Sequence, residues 1–110
     1  MLAQVNRLTS REDFLRVTKS PIRSTTKSLT GYLLANEEVD SPKIGFIVPK
    51  SVGGSVRRHR VTRQLRHASK NSIHFLPKSS LVVVRATKSE QAADLEIPEL
   101  FSALSKRANR

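Results

Sequence analysis

The chain has 110 residues and a strongly positive charge: 20 lysines and arginines stand against nine acids, a net charge of +11. Such an excess indicates a polyanionic partner. With no cysteine, the chain forms no disulfide and no thiolate metal site, which fits a cytoplasmic protein. Its apolar runs, such as Leu81–Val84, are too short to span a bilayer, and its first residues do not resemble a secretory signal. We therefore expect one cytoplasmic domain over residues 1–110, with an ordered core from about residue 6 to about residue 107.

The N-terminal part predicts a short helix. Thr9 and Glu12 have the spacing of a capping box, in which a hydroxyl and a carboxylate satisfy the free backbone N–H groups of a helix start. Phe14 and Val17 then fall on one helix face. The helix should end before Pro21, because a proline interrupts the hydrogen bonds of a helix.

Two strands are predicted next, over residues 29–35 and 43–50, after a loop at residues 20–26. Alternate residues of the second strand are apolar and should share one face: Ile44, Phe46 and Val48. The connection over residues 36–42 is acidic and short. Its length predicts that the two strands pair antiparallel.

A long helix, a central strand and a last helix are predicted in the second half. Ser55 is expected to cap a helix that runs to about Phe75. The strand at residues 81–86 is apolar on both sides and therefore central. A polar linker over residues 87–95 should lead to a helix from about Pro98 to Ala108. Three residues of this helix are expected to point inward: Leu100, Phe101 and Leu104.

These elements occur in the order helix, strand, strand, helix, strand, helix. The order predicts an α+β fold, in which helices are layered against one sheet. A further short strand is expected near Lys27 or Thr30.

Positive charge is concentrated in the middle of the chain. Residues 41–89 contain no acid, and all nine acids lie outside this stretch. Its eleven basic residues are Lys43, Lys50, Arg57, Arg58, Arg60, Arg63, Arg66, Lys70, Lys78, Arg85 and Lys88. When residues 55–75 are wound as a helix at about 100° per residue, one face is apolar, with Val61, Leu65 and Ala68. The opposite face carries His59, Arg60, Arg63, Arg66, His67 and Lys70.

A helix face with only positive charge repels itself unless an anion covers it. Arginine predominates on this face, and the guanidinium fork suits phosphate groups and stacks on bases. The composition therefore favours a nucleic acid over a membrane surface. The sequence has no pattern of a helix-turn-helix, a zinc finger or a basic zipper, which favours RNA over DNA. The predicted strands also lack the aromatic consensus of an RNA recognition motif, so these patterns alone leave DNA open.

No group of residues has the pattern of a catalytic centre. His59, His67 and His74 are eight and seven residues apart. Seven residues of helix rise about 10.5 Å, which is too far for a shared metal ion or a direct proton relay. Gly53 and Gly54 follow a strand but lack the rest of a phosphate-binding loop. We therefore expect no catalytic residue and no metal site in the protein.

Residues 43–66, KIGFIVPKSVGGSVRRHRVTRQLR, resemble the signature of the bacterial ribonuclease P protein component. In that family a strand ending in lysine is followed by a Val-Gly turn and an arginine-rich helix. Residues 6–14, NRLTSREDF, resemble its opening, and residues 81–86, LVVVRA, its apolar central strand. The resemblance implies a mixed sheet of about four strands packed with three helices. It also implies a left-handed strand–helix–strand crossover, which is rare.

The resemblance also implies a function. The family binds a large catalytic RNA and the 5′ leader of precursor tRNA. The RNA holds magnesium ions and hydrolyses the phosphodiester bond that releases the leader. The protein assists substrate binding, lowers the metal requirement and has no cofactor of its own. Neither a membrane nor a small-molecule substrate is expected as a partner.

Site residues are carried over position by position. Arg58, His59 and Arg60 stand where the family has an Arg-Asn-Arg trio, and this implies contact with RNA. With the neighbouring basic positions, the expected RNA-binding residues are Lys50, Arg57, Arg58, His59, Arg60, Arg63, Arg66 and Lys70. The expected residues of the leader cleft are Phe14, Tyr32 and Ile47, although Phe14 fits a core position equally well. The chain departs from the family pattern at Thr18, Ile47, Pro49, Ser51, Gly54, His59 and Thr62.

The residues leave two other functions open. A structural RNA-binding protein of ribosomal type would bind ribosomal RNA and leave leader cleavage unchanged. A self-contained ribonuclease would cleave RNA without an RNA subunit.

Overall fold

The computed structural model describes residues 3–88 and 91–108, which form one four-stranded sheet and three α-helices. The helices are α1 (Arg11–Thr18), α2 (Ser55–Ser72) and α3 (Ala93–Ala108). The strands are β1 (Arg23–Thr25), β2 (Leu29–Ala35), β3 (Lys43–Ile47) and β4 (Ser80–Ala86). Short 3-10 turns occur at Gln4–Asn6, Lys50–Val52 and Ile73–Phe75. None of the helices in the described ranges is both long and apolar enough to cross a membrane.

The strands are arranged in the order β1-β2-β4-β3, and the sheet is mixed. Strand β2 pairs antiparallel with β1 and β4, whereas β3 pairs parallel with β4. Two neighbouring parallel strands need a crossover connection, which here contains α2. The predicted α+β fold, with a mixed sheet of four strands and three helices, is confirmed.

The predicted antiparallel pairing of residues 29–35 with residues 43–50 is wrong, because β4 lies between β2 and β3. The four apolar residues Leu81–Val84 are at most 1% exposed. A strand this apolar is stable only when neighbouring strands cover both of its edges and helices cover both of its faces. The prediction that this strand is central is confirmed.

The two faces of the sheet carry different helices. Val82, Val84 and Ala86 belong to the larger apolar cluster, with residues of α2 and α3. The predicted inward residues of α3 are buried there: Leu100, Phe101 and Leu104. So is Ile44 of β3, and Phe46 is partly buried against the same cluster. Val48 also packs there, although β3 ends at Ile47 and not at residue 50 as predicted. Leu81 and Val83 point the other way and pack with α1 in a smaller cluster. We call this second side of the sheet the α1 face.

Two predictions about the N-terminal region are corrected. The cap of α1 is Ser10 rather than Thr9, since the Ser10 hydroxyl accepts the Asp13 N–H at 3.5 Å. The helix ends at Thr18, before Pro21, as predicted. The predicted loop at residues 20–26 contains β1, which pairs with β2. This edge strand is the further short strand that was expected a few residues later.

The start of α2 depends on two glycines. The predicted cap Ser55 is the first helical residue, and Gly54 takes the cap position without a side-chain hydrogen bond. Gly53 before it has φ +153, a backbone conformation that side chains with a Cβ rarely adopt. The helix continues into the 3-10 turn that ends at Phe75, as predicted.

Helix α3 begins at Ala93, five residues before the predicted start at Pro98. Pro98 lacks an N–H and therefore forgoes one hydrogen bond inside the helix. The first turn is held by Glu96, whose carboxylate accepts the Ala92 N–H at 2.9 Å. This bond satisfies a backbone donor at the helix start in the manner of a capping side chain.

Candidate nucleic-acid interface

Helix α2 docks on the sheet with one face and presents the other to solvent. The predicted inward residues Val61, Leu65 and Ala68 are buried in the larger cluster. The predicted cationic face is exposed at His59, Arg60, Arg63, His67 and Lys70, and Arg66 is half-buried. No aspartate or glutamate occurs among the 18 residues of α2. The outward face therefore combines exposure with positive charge of one sign, and we call it the basic face.

The N-terminal end of α2 extends the basic face. Here a groove of about 520 Å³ is lined by Gly54, Ser55, Val56, Arg57 and Arg60. Lys50 is exposed in the 3-10 turn just before the helix. The free N–H groups of a helix start and its positive dipole end attract anions. These surroundings add to the charge of the arginines.

Arg58 differs from the other predicted RNA-binding residues. It is half-buried and lines a groove of about 270 Å³ together with Phe46, Val48, His59 and Thr62. Its Nε atom is buried and has no hydrogen-bond partner in residues 3–88 and 91–108. The Arg58 side chain thus lies at the groove between α2 and the end of β3.

The three predicted cleft residues come together on the α1 face. Phe14, Tyr32 and Ile47 are all half-buried and pack against the smaller apolar cluster. The ring of Phe14 lies over Gly45: a Cβ on that residue would clash with the ring atom Cζ. Phe14 is therefore both a core contact of β3 and a border of the open surface beside α1.

The part of the α1 face beyond α1 is an open surface, which we call the α1 cleft. Thr30 of β2, Arg85 of β4 and Ile47 of β3 lie side by side there in register. Successive residues of a strand alternate between faces, so Arg85 shares its face with Leu81 and Val83. Those two residues are buried, whereas Arg85 is exposed. The cover provided by α1 therefore ends before Arg85.

The predicted site residues thus form two groups on opposite faces of the sheet. The basic face belongs to α2, whereas Phe14, Tyr32 and Ile47 lie on the α1 face. Lys50 follows the end of β3, which is an edge strand of the sheet.

Two basic residues of the α1 face were not among the predicted site residues. The sequence predicts a loop at Arg23, whereas the structure has a strand there that places Arg23 opposite Tyr32. Arg85 was counted as basic but not placed in the cleft. Its alternation with Leu81 and Val83 was the signal that would have placed it, once the strand was taken as central.

Comparisons with known proteins show the family of the chain. The family model Ribonuclease P matches residues 2–109. The ribonuclease P protein component of Mycobacteroides abscessus is 39% identical over 99 residues, which cover 84% of this chain and 78% of the relative. That of Streptomyces griseus is 39% identical over 102 residues, with 86% and 83% covered.

Solved structures show the same fold. The RNase P protein of Thermotoga maritima superposes with a TM-score of 0.73 at 24% identity, covering 92% of this chain and 96% of that one. The RNase P protein of Staphylococcus aureus gives a TM-score of 0.71 at 24% identity, with 94% of each chain covered. The match over nearly the whole length and the relatives at 39% identity establish that the chain belongs to the ribonuclease P protein family.

Proposed function

We propose that this chain is the protein subunit of a bacterial ribonuclease P and that it grips the catalytic RNA with α2. The observation that carries the proposal is the basic face. Six lysines and arginines lie on an 18-residue helix without one acid: Arg57, Arg58, Arg60, Arg63, Arg66 and Lys70. Such a face needs a polyanion to relieve its own repulsion.

On the basic face, Arg60 and Arg63 suit the phosphates of a folded RNA. Their guanidinium groups are exposed, and each can donate two parallel hydrogen bonds to one phosphate. His59 lies between Arg58 and Arg60 in the sequence, and it can donate a hydrogen bond to a phosphate oxygen in either protonation state. Lys50 and Arg57 extend the contact past the start of the helix.

The α1 cleft suits a single strand of RNA, and we assign it to the 5′ leader of precursor tRNA. Unpaired bases stack on aromatic rings, which Phe14 and Tyr32 provide at the border of the cleft. Ile47 adds apolar contact. Because the basic face and the cleft lie on opposite faces of the sheet, one protein can hold the catalytic RNA and the leader together.

We assign the hydrolysis itself, and the magnesium ions it requires, to the RNA subunit. The protein contributes binding. Its cations neutralise phosphates that would otherwise need counterions, and this lowers the magnesium concentration at which the two RNAs associate. The name of the relatives, ribonuclease P protein component, supports a role in an assembly for tRNA 5′ maturation.

The test is cleavage of a precursor tRNA at low magnesium concentration. Three samples are compared: the cognate catalytic RNA alone, this protein alone, and the two mixed. We expect the 5′ leader to be released only in the mixture. High magnesium should restore part of the activity to the RNA alone.

The other outcomes each point to a different function. RNA cleavage that is indifferent to the protein would support a structural RNA-binding protein. Cleavage by the protein alone would support a self-contained ribonuclease.

A further inference from the structure

Three residues from three strands lie together on the open part of the α1 face. Arg23 of β1 is directly opposite Tyr32 of β2, and Tyr32 is directly opposite Val83 of β4. Arg85 follows Val83 by two residues and is therefore a diagonal neighbour of Tyr32. Directly opposed residues lie about 5 Å apart and diagonal ones about 7–8 Å apart. Tyr32 is thus flanked by two arginines.

The register places both arginines on the α1 face. Ser24, between Arg23 and Thr25, pairs with Gly31, whose Cα faces Leu100 and Leu104 of α3. Arg23 must then point to the opposite side, since neighbouring residues alternate. Arg23 and Arg85 are both exposed, whereas Tyr32 is half-buried.

The positive charges of Arg23 and Arg85 are not paired within residues 3–88 and 91–108. In the described ranges, neither has a carboxylate within ion-pair distance. The residue opposite Arg85 on β2 is Thr30, which carries a neutral hydroxyl. Arg85 is the exposed residue of a central strand whose other residues are buried, so its charge is available to an anionic partner.

An aromatic ring between two guanidinium groups matches one nucleotide step of a single strand. A base can stack on the ring while the phosphates before and after it meet the two cations. We infer that Arg23 and Arg85 hold the backbone of a single-stranded RNA whose base lies on Tyr32. This inference rests on the proposed leader role of the α1 cleft. It adds that the contact is to phosphates and therefore accepts any leader sequence.

The test uses the holoenzyme assembled from the protein and its catalytic RNA. Arg85→Gln, Arg23→Gln and the double variant are compared with Arg107→Gln, an exposed residue on α3 behind the sheet. Binding is measured for a precursor tRNA with a short leader, for a second precursor with a different leader sequence, and for mature tRNA. Thermal unfolding of each variant verifies that the fold is kept.

We expect each cleft substitution to weaken binding of both precursors by about tenfold, because each removes one charge-assisted hydrogen bond to a phosphate. The salt dependence of precursor binding should fall by about 0.7 in slope for each lost phosphate contact with a single strand. Affinity for mature tRNA should not change in any variant. Arg107→Gln should leave the affinity for both precursors unchanged as well.

Three results would overturn the inference, and each can be distinguished from the other two. If the wild-type holoenzyme prefers precursor over mature tRNA but Arg85→Gln and Arg23→Gln leave that preference intact, this inference alone fails. If the wild type binds both RNAs equally, the leader role of the cleft fails as well. Equal losses for precursor and mature tRNA would place the arginines on another part of the RNA and would also reject the inference.

Discussion

At the scale of single residues, Glu96 has an unusual environment for a carboxylate. It is only 7% exposed and accepts hydrogen bonds from four donors. They are the Thr26 hydroxyl at 2.7 Å, the Ser28 N–H at 2.7 Å, the Ser28 hydroxyl at 2.5 Å and the Ala92 N–H at 2.9 Å. Glu96 therefore ties the turn between β1 and β2 to the start of α3.

These contacts determine how Glu96 titrates. Burial by itself raises the pKa of the carboxyl, but the hydrogen bonds from Ser28, Thr26 and Ala92 outweigh burial and hold the pKa below 4.5. A carboxyl whose pKa is lower in the folded state stabilises the fold above its unfolded pKa. This stabilisation is lost as the pH falls through the folded pKa.

We therefore expect Glu96→Gln to lower the free energy of unfolding at pH 7 by about 2–3 kcal/mol, because an amide N–H₂ then faces donors. Urea unfolding from pH 7 to pH 3 should show this difference narrowing below pH 4.5, as the wild-type carboxyl becomes protonated. Glu99→Gln, on the exposed side of the same helix, is the control. A difference that stays constant over this range would contradict the account.

Gly45 shows a second constraint at this scale. A Cβ there would clash with the Phe14 ring, whereas a Cβ at Gly54 would meet nothing within 4 Å. Gly45→Ala should therefore displace the ring and cost about 1–3 kcal/mol in urea unfolding. Gly54→Ala should cost less than about 1 kcal/mol, the effect of a poorer helix cap. Equal costs would show that Phe14 does not rest on Gly45.

At the scale of elements, the sequence predicted best the segments whose signal is local. The strand at Leu29–Ala35 was predicted with its observed bounds. The helix predicted from Ser55 to about Phe75 corresponds to α2 together with the 3-10 turn that follows it. Both have an apolar periodicity that matches one type of element. The inward and outward faces of α2 followed from the same periodicity.

The errors arose where local signals compete or where distant residues decide. Thr9 and Ser10 are both good caps, and the observed bond of Ser10 to Asp13 moves the start by one residue. Pro98 suggested a helix start, but Glu96 holds the chain helical from Ala93. Pairing of β2 with β3 looked favourable because their link is short. The position of β4 between them depends on contacts between residues far apart in the sequence, and a short link gives no information about those contacts.

The candidate site was also predictable where the signal is local and not predictable where distant residues decide. The cationic face of α2 was predictable because charge and helical period are both visible in the sequence. The place of Arg23 and Arg85 beside Tyr32 depends on register across three strands, which the sequence alone does not specify. The assignment of all these residues to RNA stays a prediction.

For the basic face, we expect Arg60→Ala to weaken binding to the catalytic RNA and to lower its salt-dependence slope by about one, as one phosphate contact is lost. Affinities measured between low and moderate salt give the slope. Lys106→Ala, an exposed cation at the end of α3, should leave it unchanged. An unaltered slope in Arg60→Ala would argue against a phosphate contact at this position.

At the scale of the whole molecule, charge is separated along the strands. The turn after β2 carries Glu37 and Glu38, both exposed, and precedes β3. Lys50 and Arg85 lie at or beyond the other end of β3 and β4. Glu37 and Glu38 offset the positive charges of Lys43 and Lys78 at their end of the sheet. A polyanion is therefore attracted more strongly to the other end, and this favours one orientation on the RNA.

Reversing the two acids should remove that bias. We expect Glu37→Lys with Glu38→Lys to raise affinity for an unrelated single-stranded RNA at low salt more than affinity for the catalytic RNA, because the added charge is sequence-independent. The ratio of the two affinities is the measurement. Glu12→Lys with Asp13→Lys, on α1, gives the same net charge at another place. Identical ratios for the two double variants would show that only net charge matters.

The position of β4 between β2 and β3 also determines when the protein can fold during synthesis. Neither β2 nor β3 has its shared neighbour until the ribosome has made residues 80–86. Before that point the nascent chain already contains the arginines of α2 but not the strand against which the crossover closes. The nascent polycation is therefore exposed to cellular RNA before its fold exists, and the sheet assembles late by contacts between distant residues.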